Sequence, residues 1–99
     1  MAIKEVRKRD GTIVSFDPSK IQTAIEKAMS ALGSLDEKKA ILFTKEITDE
    51  LNSSGIKIPD IEQIQNSVEE ILERHDERLF KIYSLYRRSR GNARKIKKA

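Results

Sequence analysis

Cysteine and tryptophan are absent from this 99-residue chain, and histidine occurs once. Without cysteine there are no disulfides and no thiolate-bound zinc, and His75 cannot build a metal site by itself. Glycine is scarce, with single residues at 11, 33, 55 and 91, so no glycine-rich phosphate loop exists. No apolar run is long enough to span a membrane, and the first residues lack the apolar stretch of a secretory signal. Lack of a signal and of cysteine together predicts a cytoplasmic protein. Aromatics number three Phe and two Tyr, too few to stack bases along a single strand. Isoleucine and leucine must therefore supply most of the burial. Carboxylates are plentiful, but none is paired with a nucleophile or base at a defined site. The expected catalytic set is empty, and the chain is not expected to be an enzyme.

What is present is charge. Charged residues make up 36% of the chain against 37% hydrophobic, and the net charge is +4. One domain is the only division that leaves a workable core. The cations gather at the two ends: Lys4, Arg7, Lys8 and Arg9 at the start, and the segment from Arg87 to Lys98 at the close. That bipolar distribution favours a local anion site plus a basic tail over a continuous nucleic-acid groove.

The elements are punctuated clearly. Asp10-Gly11 between Ile3–Lys8 and the β-branched run Thr12–Phe16 predicts a β-hairpin. Asp17-Pro18 caps a helix whose stripe is Ile21, Ala24, Ile25, Ala28, Met29 and Leu32, ended by Gly33. Ser34 with Glu37 suggests a capping box for a second helix, striped by Ala40, Phe43, Ile47 and Leu51. Ile56-Lys57-Ile58 before Pro59 reads as a short edge strand that joins the hairpin in a three-stranded sheet. Asp60 with Gln63 caps a third helix carrying Ile61, Ile64, Val68, Ile71 and Leu72. A fourth carries Leu79, Ile82, Tyr83 and Tyr86. The polar run from Glu73 to Arg78 interrupts the stripe, so a turn at His75-Asp76 is expected in place of one long helix. The fold class is α+β and mainly helical: a four-helix bundle capped by a small three-stranded sheet. Residues 3–90 form the domain, and 91–99 a basic, disordered tail.

Lys8 and Arg9 beside the hairpin turn, with Lys20 in the first helical turn, suit an anion site. Lys20 there opposes the helix dipole, a placement that makes sense with an anion bound. On spacing alone, a solvated basic hairpin is the favoured explanation of these residues.

A resemblance separates the two. Val6-Arg7-Lys8-Arg9-Asp10-Gly11, then Phe16, Lys20-Ile21 and Ala24-Ile25, resembles the opening motif of the ATP-cone domain. Ile61-Glu62-Gln63-Ile64-Gln65 with Val68, Glu69 and Leu72 is similar to its third helix, and Tyr83–Arg90 to its closing Tyr-x-x-Tyr-Arg-x-x-Arg pattern. Cones of this type regulate ribonucleotide reductases and serve in the repressor of their genes. The resemblance implies a sheet cap over four helices, with ATP or dATP, with or without magnesium, bound between cap and first helix. It implies phosphate contacts from Lys8, Arg9 and Lys20, with Arg87 and Arg90 reaching in from the last helix. Val14, Ser15, Phe16, Asp17 and Lys20 would wrap the nucleoside, Ile21 would pack on the base, and Ile58, Asp60 and Glu62 would lie at the mouth. Many cones carry glutamate where Val14 stands, and some carry threonine at Ile58, so base recognition here falls to backbone groups.

The resulting expectation is an adenine-nucleotide-binding regulatory domain that controls its own association or a reductase-type partner. Two alternatives are a nucleic-acid-binding regulator using the basic ends, and a degenerate cone serving as an interaction module. Nucleic acid is expected to bind weakly and without sequence preference, and no membrane partner is expected.

Overall fold

The structure, a computed structural model, describes residues 2–96, and side chains as far as Arg88. Its elements run β1 (Glu5–Arg7), β2 (Ile13–Ser15), α1 (Pro18–Ala31), α2 (Glu37–Ser53), α3 (Ile61–His75) and α4 (Glu77–Ile96). The four helices pack in a ring, α1 against α2 and α4, and α3 against α2 and α4.

The hairpin is antiparallel, with Glu5 opposite Ser15, Val6 opposite Val14 and Arg7 opposite Ile13. Its loop is Arg9-Asp10-Gly11, closed by Lys8 N–H donating to the Thr12 carbonyl at 2.7 Å. Gly11 sits at φ 90°, where a Cβ would be strained. The Asp10 carboxylate accepts from Thr12 N–H at 2.9 Å, a bond that holds its pKa below the usual carboxylate value.

The sheet has two strands, not three. Residues 56–58 bend instead of pairing, and a single parallel bridge joins Arg7 to Asp60. Three of the backbone positions a third strand would draw on have no free donor. Pro59 has no N–H, Ile56 N–H is held by Ser54 Oγ, and Asp60 N–H by Gln63 Oε1. The Pro59 carbonyl accepts from Arg7 N–H at 2.9 Å.

Asp17 and Asp60 cap α1 and α3 as their residue types demand, the latter in a reciprocal box with Gln63. At the end of α1, Ser34 N–H reaches the Met29 carbonyl and Gly33 N–H the Ser30 carbonyl, with Gly33 at φ 74°. Ser34 N–H goes to closing α1, and Asp36, directly before the first residue of α2, caps that helix by accepting from Lys39 N–H. The turn at His75-Asp76 is present, and Asp76 does double duty: its N–H closes α3 on Leu72, while its carboxylate accepts from Arg78 and Leu79 N–H to open α4. α4 runs on through Gly91 to Ile96, so 91–96 are helical where a disordered tail was expected, and 97–99 lie outside the described residues. Arg, Ala, Lys and Ile favour helix enough to carry it past one glycine.

The core is aliphatic. Ile25, Ile47, Ile71 and Leu72 are fully buried, Leu79 nearly so, and Tyr83 adds the largest ring. Val6 and Ile3 tie the hairpin into it, and Ile3 N–H donates to Asn52 Oδ1 at the end of α2. That anchor, with the Arg7–Pro59 bond, seats the cap over the end of the bundle where α1 and α3 begin and α2 ends.

Candidate functional site

At this cap end the chain places its most interconnected charges. Arg9 leaves the hairpin loop and donates from Nε to Glu62 Oε1 at 3.0 Å and from Nη2 to Gln65 Oε1 at 3.3 Å. Arg87, on α4, donates to Glu62 Oε2 and Glu69 Oε1 at 2.5 Å each, and to Asn66 Oδ1 at 3.0 Å. Ser84, one turn before Arg87, gives its hydroxyl to the second oxygen of Glu69. One carboxylate, Glu62, therefore bridges two guanidinium groups from separate elements.

The local sequence explains this assembly. On α3, residues 62, 65, 66 and 69 recur at helical spacing beside the apolar stripe, and on α4 residues 84 and 87 face them. The Asp60 cap fixes where that polar stripe begins. Burial is graded: side-chain exposure is 53% for Arg9 and Glu62 but 17% for Arg87 and 23% for Glu69. The Arg87 hydrogen bond, then that of Arg9, holds the Glu62 carboxyl below its usual pKa. Burial alone would pull Arg87 down, but Glu62 and Glu69 outweigh it and raise it.

The start of α1 is arranged differently. Pro18 has no N–H, Ser19 N–H is taken by the Asp17 carboxylate at 3.0 Å, and Lys20 N–H by the Asp17 carbonyl at 3.1 Å. The Ser19 hydroxyl also donates to Asp17 at 2.6 Å and, with its N–H, keeps that carboxyl's pKa low, aided by the Lys20 charge. The first-turn donors expected to meet an anion are thus satisfied within the chain. What α1 offers outward is the Lys20 ammonium.

Among the expected site residues, the structure brings Arg9, Glu62 and Arg87 into direct contact. Lys8, Ser15, Asp17 and Lys20 are exposed, and no hydrogen bond or ion pair joins Lys8 or Lys20 to the arginine cluster among the described residues. Val14 and Phe16 are half-buried against the core, and Ile21, 8% exposed, leaves only an edge for a ligand. Ile58 is half-buried, and Asp60 spends one carboxylate oxygen on Gln63 N–H at 2.8 Å. The Arg90 side chain lies outside the described residues. Gln65, Asn66, Glu69 and Ser84 were not anticipated. The polar stripe they complete was visible in the spacing, but nothing in the spacing identified its partner.

The opposite end of the bundle carries an open groove of about 360 Å³ lined by Met29, Leu35, Asp36, Lys39, Phe43 and Asp76, among others. Two of its carboxylates, Asp36 and Asp76, are helix caps, so its polar groups are largely committed to the fold. No cluster of three or more metal-ligating side chains occurs among the described residues, and no helix there is long and apolar enough to cross a membrane.

The ATP cone domain model matches residues 4–92, nearly the whole chain. The chain belongs to the ATP cone family. Its relatives include vitamin B12-dependent ribonucleoside-diphosphate reductases: 38% identity with that of Thermoplasma acidophilum over 96% of this chain, and 33% with that of Mycobacterium tuberculosis over 94%. The cone spans about 13% of the length of each. The family is one of nucleotide-binding regulatory domains, and the relatives in which this cone recurs are enzymes far longer than it.

Proposed function

We propose that this cone binds ATP or dATP at the cap end and uses it to control self-association or the activity of a ribonucleotide reductase-type partner. The observation that carries the reading is the gathering of cations there. Lys8 and Arg9 lie at the start of the hairpin turn, Lys20 is in the first turn of α1, and Arg87 reaches the same end from α4. The group fits a polyphosphate. Guanidinium groups bind phosphate oxygens in pairs, and flexible lysines serve as point charges. Half-buried Val14 and Phe16 supply apolar surface for a base next to that charge. Magnesium enters with the triphosphate. Residues 3–90 carry the site, and the segment beyond them stays outside it.

Binding to the folded state alone must stabilise it. At one hundred times its dissociation constant ATP adds about 2.7 kcal/mol, which for a domain of this size is roughly 10 °C in Tm. Thermal unfolding and calorimetry with ATP, dATP, GTP and CTP test this. The adenine nucleotides should raise Tm well beyond the other two. Equal shifts with all four reduce the site to loose phosphate binding, and no shift at millimolar ATP removes the proposal.

A further inference from the structure

Glu62 occupies the place between two arginines where an oxyanion ligand would be held. Its oxygens divide between Arg9 and Arg87, one each. Two guanidinium groups converging on one oxyanion is the arrangement by which proteins grip phosphate. We propose that Glu62 is an internal stand-in for a ligand phosphate, a gate that closes the Arg9–Arg87 pair in the free protein and is displaced when nucleotide binds. The inference rests on the nucleotide reading above and names how that site is regulated.

The surroundings suit an exchange of anions. Without Glu62, neither guanidinium is left bare: Arg87 keeps Glu69 and Asn66, and Arg9 keeps Gln65. Arg87 and Glu69 form the sheltered, fixed half, whereas Arg9 and Glu62 are half in water. Swinging the Glu62 carboxylate outward therefore carries a small desolvation change. Its position in the first turn of α3, where the helix dipole favours negative charge, stabilises it after release. Carboxylate and phosphate cannot share the arginine pair, because like charges at contact distance repel. Displacement also frees the hairpin loop from one of its two side-chain ties to α3. Phosphate binding is thereby converted into a change in how the cap sits on the helices.

The test is isothermal calorimetry with ATP on the whole chain and its Glu62→Gln and Glu62→Ala variants, with Glu70→Gln as control. Glu70 pairs with Arg74 one turn along α3, away from the cluster. Releasing a pair of this exposure should tighten ATP binding by about two- to fivefold in both Glu62 variants, with Glu70→Gln unchanged. The Arg9 Nε–H resonance should move on Glu62→Gln without ligand, and in the unsubstituted chain when ATP is added. If the unsubstituted chain binds ATP and the Glu62 variants bind it equally or more weakly, the gate is wrong and the nucleotide reading stands. If none of the proteins binds ATP, the nucleotide reading fails and the gate with it.

Discussion

The interior of the bundle and its cap end are built from different chemistry and respond to different perturbations. Inside, Ile25, Ile47, Ile71 and Leu72 are fully buried in an aliphatic cluster. At the cap, Arg9, Glu62, Arg87 and Glu69 are held by directional bonds and remain in part accessible to water. Burial is non-directional and additive in area, so many aliphatic choices would serve the interior. The cap depends on which charge meets which, and one substitution there redirects its neighbours. The interior should therefore govern stability and the cap binding, each with little influence on the other.

The sharpest break of that division is Ile25→Ala. Emptying this site should destabilise the fold by about 2–5 kcal/mol, read as a fall in Tm or in the denaturant midpoint. Nucleotide affinity of the remaining folded protein should stay near that of the parent. A large affinity loss without loss of stability would mean that the core is part of the site.

The converse variants are Lys8→Ala and Lys20→Ala. On the proposed site each would remove one charge-assisted phosphate contact, worth about tenfold to a hundredfold in affinity. Thermal unfolding without ligand should hardly change, because both side chains are exposed. Lys20→Ala should leave the free protein equal or slightly more stable, since a cation at a helix N-terminus opposes the dipole. Unfolding of either variant would make these lysines structural.

This division also explains what could be read from the sequence. Apolar spacing places the helices because burial repeats at 3.6 residues, and Ile21, Ile25, Ala28 and Met29 occupy the interior as their intervals demand. Asp17, Asp60 and Gly33 mark helix ends by residue type alone. Three places resist such reading, two where backbone groups are claimed by neighbours and one where flanking helix formers outweigh a glycine. Ser34 N–H serves the end of α1, and Asp36 caps α2. Pro59 and the committed N–H groups of Ile56 and Asp60 take three donors from the expected third strand. Gly91 does not stop α4. In the site, the cations were identifiable by type, but the pairing of Arg9 with Glu62 joins residues 53 apart, and no local pattern encodes it.

Acid should probe the cap selectively. The folded-state pKa of Glu62 is depressed by Arg87 and Arg9, so its contribution is present above the ordinary carboxylate pKa and disappears as pH falls through the lowered value. Between pH 5 and 7 the pair should leave stability flat. Below about pH 4 the parent should lose more stability than Glu62→Gln, by under about 1 kcal/mol given the exposure of the pair. Tm measured from pH 7 to pH 3 on both proteins checks this, and parallel curves would remove Glu62 from the acid response.

Deleting residues 91–99 should have the smallest effect, shifting ATP affinity by no more than about twofold, as for surface changes away from a site. Any binding of DNA by the intact chain should be weak, indifferent to sequence and steeply salt-dependent. A lost nucleotide site after deletion would extend the site along α4 beyond Arg90.

The direct test of where nucleotide binds is a backbone amide NMR titration of the whole chain with ATP. Shifts should concentrate at the cap end: the hairpin loop around Lys8–Thr12, Phe16 to Ile21, and the first turns of α3 around Asp60–Gln65. Resonances of Leu35, Lys39, Phe43 and Asp76, around the groove at the far end, should barely move. Shifts confined to that far groove, with the hairpin loop silent, would contradict a nucleotide site at the cap.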